Sequence, residues 1–144
     1  MSTTSAQPRT AAHAIEPAGR TRYGVAVPAL LVAAFSLSVI HTVYAWLSGL
    51  EDPDFTVTSP LTWVFYLVAF GVAALARRDS RAAQITVLGY LVVILGVSIF
   101  YYPTTFTLEQ QTTFGWLEND VYTGLLLTSL ILSVLRLRRR ALVP

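Results

Sequence analysis

The 144-residue chain contains no cysteine, no lysine and few charged residues of any kind. The absence of cysteine excludes disulfides, thiol nucleophiles and thiolate metal sites. Asp, Glu, Lys and Arg together make up 12% of the chain, against about 25% in a typical soluble domain. A soluble protein of this composition would have too little charged surface, so the deficit points to a different environment.

Long apolar runs take the place of the missing charge. Residues 30–50 and 85–102 contain no Asp, Glu, Lys or Arg. Runs of this length are typical of membrane spans, because about 20 helical residues at ~1.5 Å each cross a hydrocarbon core of ~30 Å. The sequence therefore predicts an integral membrane protein.

With two further apolar runs, the sequence contains four predicted spans. They predict an all-α fold, an integral membrane four-helix bundle that runs up-down-up-down with both termini on one side. The predicted transmembrane domain covers residues 24–140. Its spans are expected at about residues 24–47, 60–76, 82–102 and 117–137.

The ends of the chain read differently from the spans. Residues 1–23 are rich in Ala, Thr, Ser and Pro without an apolar period, which predicts a flexible cytoplasmic tail. Residues 141–144 form a short C-terminal end. Between the spans, Ser59 and Pro60 are typical of a helix start, and Pro103 is expected to close the third helix.

Arginine is confined to one side of the predicted spans. The two loops on the other side contain acidic charges and no Arg or Lys. Because short loops rich in basic residues stay in the cytoplasm, we expect both termini to be cytoplasmic and the protein to lie in the cell (inner) membrane. The arginines expected to contact inner-leaflet lipids are Arg77, Arg78, Arg81, Arg136, Arg138, Arg139 and Arg140.

Aromatic residues concentrate at the opposite, outer boundary, although Trp and Tyr usually occur at both interfaces. One interpretation is an anchor in the outer leaflet. Another is an aromatic cup that contacts a lipid, a quinone-like ligand or a partner. The predicted outer aromatic face comprises Trp46, Trp63, Tyr101, Tyr102 and Trp116.

His41 is the one His, Asp, Glu, Lys or Arg inside the first three apolar runs, and ionisable residues at membrane depth are commonly functional. Counting about 20 residues back from Arg136 reaches the stretch before Glu118, Asn119 and Asp120. These three polar residues are therefore expected at the depth of His41. In an up-down bundle the first and last helices are neighbours.

Three hypotheses account for this polar group. Asn119 or Asp120 could cap the fourth helix, where acids also suit the helix dipole. His41 could form a structural bridge to Asp120 or Glu118. The group could instead be an outward-facing proton, cation or partner site.

Catalysis and metal binding are not predicted. Zinc needs three or four ligands, which His41, Glu118 and Asp120 would barely supply. Nucleophilic hydrolysis needs a nucleophile, a base and an orienting acid within reach of one another. We therefore predict no enzymatic activity, no metal and no cofactor.

The predicted function is that of a non-enzymatic accessory or assembly subunit of a larger membrane complex, or of a homo-oligomer. Its predicted partners are membrane lipids and another membrane protein or a second copy, and not nucleic acid. The alternative is a small transporter or channel with its outward-facing site at His41, Glu118 and Asp120. A transporter would form an oligomer around a wet path lined by a set of hydroxyls. An accessory subunit would instead bond the same hydroxyls to backbone within a dry bundle. The hydroxyls are those of Ser36, Ser38, Tyr90, Ser98 and Ser129.

The stretch "FYYPTTF…FGWLENDVYTGLL", the four spans and the Arg-rich tail resemble small uncharacterised multipass membrane proteins of GC-rich Gram-positive, actinobacterial-type bacteria. The similarity covers roughly residues 24–140. It implies the same four-span fold and brings no activity or site residues with it. Small multidrug-resistance exporters are set aside because their first helix carries a Glu, and vitamin K epoxide reductase-like proteins because they need cysteines.

Overall fold

The computed structural model describes residues 22–51, 55–105 and 112–141. The elements in these residues are helices, which confirms the predicted all-α class. Most of the predicted tail, residues 1–21, and residues 142–144 lie outside the described residues. The four main helices are α1 (Arg22–Ser48), α2 (Pro60–Leu75), α3 (Arg81–Gly96) and α4 (Thr113–Ala141).

The third helix changes its winding near its end. After Gly96 the α-helix continues as a π-helix over Val97–Tyr101, called the π segment below, and then as a 3-10 turn over Tyr102–Thr104. Pro103 lies in that turn. The helical path therefore ends where the proline was expected to close it, but not as a regular α-helix.

Three helical stretches are long and apolar enough to cross a membrane: Gly24–Ser48, Arg81–Thr104 and Thr113–Arg139. The length and composition of these stretches are those expected of a membrane protein. α2 is apolar but has only 16 residues, a length of ~24 Å against a hydrocarbon core of ~30 Å.

The outer surface of the helices is apolar. Leu67 on α2 is 75% exposed, Val93 on α3 is 66% exposed and Ile131 on α4 is 51% exposed. A soluble helix would turn charged and polar residues outward at such positions. Continuous apolar exteriors on these helices fit lipid contact rather than contact with water.

The helices form a ring in which α1 packs against α2 and α4, and α3 packs against α2 and α4. Small residues allow close packing inside it, since Ala69 and Ala73 of α2 are fully buried. The middle of the ring is largely apolar. Phe35, Leu91 and Leu126, from three different helices, are fully buried there.

The two ends of the bundle differ in chemistry. The arginine end is formed by the start of α1, the turn between α2 and α3, and the end of α4; Gly24, Arg77 and Arg136 line one cavity there. The aromatic end is formed by the end of α1, the start of α2, the π segment and the start of α4; His41, Phe65, Tyr101 and Glu118 line a cavity there.

The helix starts correct two expectations. Ser59 takes the extended conformation of an N-cap before Pro60, but its side chain makes no capping hydrogen bond. α4 begins at Thr113, and the Thr112 hydroxyl accepts a hydrogen bond from the Gly115 N–H at 3.0 Å. The prediction that Asn119 or Asp120 caps this helix is therefore wrong, because both residues lie beyond its first turn.

Arg136 is also placed differently from the prediction. It was expected to contact lipid headgroups, but it is 6% exposed. Its guanidinium donates to the Ala76 carbonyl at 2.9 Å and to the Asp79 carboxylate at 2.5 Å. Arg136 thus caps the end of α2 and joins α4 to the turn between α2 and α3.

Candidate functional site

A cavity of about 340 Å³ lies at the aromatic end, between all four main helices. Most of its wall is aromatic or aliphatic. Polar side chains converge on one part of it, as in many small-molecule sites. The aromatic lining comprises Phe55, Phe65, Tyr101, Tyr102 and Tyr122, and the polar lining Ser38, His41, Thr42, Ser98, Glu118 and Asn119.

His41 and Glu118 form the polar centre of this cavity. Nδ1 of His41 contacts Oε2 of Glu118, and the two side chains are 21% and 7% exposed. Nε2 of His41 lies 3.3 Å from the hydroxyl of Tyr102. A neutral imidazole with its proton on Nδ1 donates to the carboxylate and accepts from the tyrosine, whereas a protonated imidazole donates to both.

The local backbone brings these three groups together. Gly115 lies beside the imidazole: a Cβ added there would be 3.9 Å from Cε1 of His41 and 3.3 Å from the Thr112 hydroxyl. The π segment determines the position of the tyrosine that follows it. A π turn holds more residues than an α turn, so it rotates the residues that follow and is frequent at functional sites. Tyr102 is the first residue after it.

A second polar group joins α1 to α2 at the cavity wall. The Tyr66 hydroxyl donates to the Ser38 carbonyl at 2.8 Å and lies 2.6 Å from the Thr42 hydroxyl. Tyr66 is 3% exposed. Sequence reasoning named Ser38 only on the wet path of a transporter and did not include Thr42 or Tyr66 in the site, although Ser38 and Thr42 lie four apart on one face of α1 and so indicate a polar stripe.

The structure places Asp120 apart from this group. Its side chain is exposed, on a different face of α4 from Glu118. Of the two acids that sequence reasoning left open as partners of His41, the one in contact is Glu118.

The predicted outer aromatic face divides into two sets. Trp46, Trp63 and Trp116 are each about half exposed, and the Trp63 indole N–H donates to the Val57 carbonyl at 2.8 Å. Tyr101 and Tyr102 line the cavity instead, although Tyr101 is also 59% exposed. The tyrosines are therefore available to a molecule inside the cavity, and the tryptophans to the surroundings.

The remaining predicted lipid contacts lie at the arginine end. Their side chains are exposed, except that the side chain of Arg140 lies outside the described residues. The exposed arginines are Arg77, Arg78, Arg81, Arg138 and Arg139.

The hydroxyls along the bundle differ in their partners. Ser129 donates to the Leu125 carbonyl at 2.9 Å, and Ser133 donates to the Ser129 carbonyl at 2.7 Å. The Tyr90 hydroxyl is buried without a hydrogen-bond partner among the described residues. Below the cavity, Ser129 and Ser133 are thus bonded to their own helix and Tyr90 is not, whereas Ser38 and Ser98 line the cavity.

Comparisons with family models, with curated proteins and with solved structures found no match to this chain. Among the described residues no group of three His, Cys, Asp or Glu is placed to hold a metal ion. A helical bundle alone does not specify a function. The function is therefore inferred from the chemistry of the cavity.

The contact between His41 and Glu118 predicts a coupling energy between the two side chains. His41→Ala removes the partner of a buried carboxylate and should lower the free energy of unfolding by about 1–3 kcal/mol. Glu118→Ala should have a comparable effect, and the double variant should cost less than the sum of the two. Denaturant unfolding of the purified protein in mild detergent measures all three.

Asp120→Asn is the matched control, because it removes an exposed carboxylate two residues from Glu118. It should change the free energy of unfolding by less than about 0.5 kcal/mol. Additive effects in the double variant, or a His41→Ala variant as stable as Asp120→Asn, would contradict a bridge between α1 and α4.

Proposed function

We propose that this chain is a non-enzymatic four-span membrane protein whose outward-facing cavity binds a small lipophilic cation. In this proposal α2 also crosses the membrane, consecutive helices run antiparallel, and the arginine end faces the cytoplasm. The observation that carries the binding role is the pair formed by Glu118 and His41 inside an aromatic cavity.

The distribution of charge supports the orientation. Residues 23–76 and 82–135 contain no Arg or Lys, so the aromatic end carries acidic charge only. Cytoplasmic loops retain basic residues. A helix of 16 residues can span if the bilayer thins locally or if flanking residues reach the interface, at modest cost.

The absence of cysteine from the chain makes single-cysteine labelling a clean test of this topology. Thr58→Cys and Ala82→Cys change exposed positions before and after α2. In intact cells a membrane-impermeant maleimide should label Thr58→Cys and leave Ala82→Cys unlabelled until the membrane is permeabilised. Labelling of both from the same side would show that α2 does not cross.

The chemistry of the cavity favours a cationic ligand. A cation gains from the faces of aromatic rings as well as from a carboxylate, and here Phe65, Tyr101 and Tyr122 share the cavity with Glu118. Burial makes an unpaired carboxylate costly, so Glu118 needs a positive or donating partner. His41 supplies that partner when the cavity holds no cation.

Binding is favoured over conduction by the core beneath the cavity. Phe35 is fully buried and contacts the rings of Phe70 and Tyr90 edge-on, with centroids 6.0 and 6.1 Å away. Leu91 and Leu126 complete this apolar layer. A hydrated cation would lose its water there and would meet no carboxylate in this layer. The site is therefore proposed to open on one side only.

Benzyltrimethylammonium, compared with its neutral isostere neopentylbenzene, tests the choice of ligand. Calorimetric titration of the detergent-solubilised protein should give saturable binding of the cation alone. Glu118→Gln should weaken this binding by about tenfold or more because it removes the carboxylate charge. Asp120→Asn should change it by no more than about twofold, since its carboxylate is exposed and screened.

Equal binding of the neutral isostere, or unchanged binding by Glu118→Gln, would refute the proposal.

A second candidate function, as an accessory subunit or a homo-oligomer, is favoured by the outer face of α4. Gly124 and Thr128 are exposed and lie four residues apart, a spacing that allows close approach of another membrane helix. A Cβ added at Gly124 would meet no atom of the bundle within 4 Å. The bundle itself therefore does not require glycine there.

Mild-detergent purification tests this role. A stoichiometric complex or oligomer should accompany the wild-type protein and be lost from Gly124→Leu, because leucine keeps the two helices apart. Gly71→Leu, at an exposed glycine of α2 that also has open space, is the control and should retain the assembly. A monomer that purifies without partners would exclude the accessory role and leave the cation site unaffected.

A further inference from the structure

A second cavity, of about 510 Å³, lies at the arginine end. It shares no lining residue with the cavity at the aromatic end. One wall comes from the first three turns of α1, and the other from the α2–α3 turn and the end of α4. The lining residues are Gly24, Val25, Pro28, Ala29, Val32, Arg77, Asp79 and Arg136.

The charge on this cavity is positive. Arg77 and Arg136 carry two positive charges, against one negative charge on Asp79. Arg136 is bound to Asp79 and to the Ala76 carbonyl. Its Nε is buried and has no hydrogen-bond partner among the described residues. Because Arg136 holds Asp79, the net charge offered by the cavity is that of the exposed Arg77.

The α1 wall of the cavity is apolar. Val25, Ala29 and Val32 are spaced as on one helix face, and all three are exposed. They belong to the candidate span Gly24–Ser48. The apolar strip thus leads from the arginines along a helix long enough to cross the membrane.

We propose that this cavity is a specific site for an anionic phospholipid, with Arg77 bound to the phosphate and an acyl chain lying on Val25, Ala29 and Val32. Guanidinium groups bind phosphate oxygens through charge-assisted hydrogen bonds. A free phosphate ion would use Arg77 but not the apolar strip. The strip therefore favours a lipid as the occupant.

Native mass spectrometry of the full chain, titrated with phosphatidylglycerol, tests the site. Arg77→Gln should weaken binding by about tenfold relative to Arg78→Gln, because it also removes a charge-assisted hydrogen bond. Arg78 is the matched control: it is the neighbouring exposed arginine and does not line the cavity. Ala29→Trp, which fills the strip without changing charge, should weaken binding by a similar factor.

Two results would overturn the proposal. Equal affinities of Arg77→Gln and Arg78→Gln would mean that the lipid is held by surface charge alone. Competition by inorganic phosphate at the same concentration as the lipid would identify a free anion as the occupant. The wild-type protein should bind zwitterionic phosphatidylcholine more weakly than phosphatidylglycerol. Arg77→Gln should bind the two lipids equally.

Discussion

The buried contact between Glu118 and His41 is the interaction on which the aromatic end depends. Burying a carboxylate that is only 7% exposed is costly unless it has a partner. The imidazole satisfies it from α1, and Tyr102 holds the other ring nitrogen from beyond the π segment. The side chain of His41 therefore joins three separate parts of the chain.

The same helix carries the corresponding interaction at the opposite end. Glu118 and Arg136 are 18 residues apart in the sequence, which is about five turns and ~27 Å along the helix. They lie on one face of α4, and each is paired with another part of the bundle. The buried residues of this face are Glu118, Tyr122, Leu126, Ser129, Ser133 and Arg136.

The spacing of these charges suits a membrane. A distance of ~27 Å is close to the ~30 Å thickness of a hydrocarbon core, so a spanning α4 would hold both charged residues near the edges of that core. Between them the face presents Tyr122, Leu126 and the hydroxyls of Ser129 and Ser133, and those two hydroxyls bond to their own helix. α4 therefore places its charges where their desolvation costs least.

Hydropathy was sufficient to predict the helices and the common depth of His41 and Glu118. It could not choose between Glu118 and Asp120, because depth depends on distance along the helix whereas contact depends on rotation about it. The buried face of α4 resolves the rotation: Asp120 is about 200° around the helix from Glu118. In the sequence, the helical spacing of Ser129 and Ser133 could have indicated which side of α4 faces the bundle.

Other features lay beyond the sequence pattern. Tyr102 contacts His41 because the π segment changes the rotation of the chain after Gly96, and an apolar run gives no signal of such a change. The bonds of Tyr66 to α1 depend on how two helices cross. The burial of Arg136 depends on the position of Asp79 in a turn, whereas counting arginines indicates only the side of the membrane.

The apolar core limits the routes by which protons can reach His41. Phe35, Leu91 and Leu126 separate the two cavities, and the hydroxyls of Ser129 and Ser133 are already bonded to backbone. Among the described residues, these two hydroxyls therefore link no group at the arginine end to His41. In the proposed topology, protons and a ligand would both reach His41 from the aromatic end.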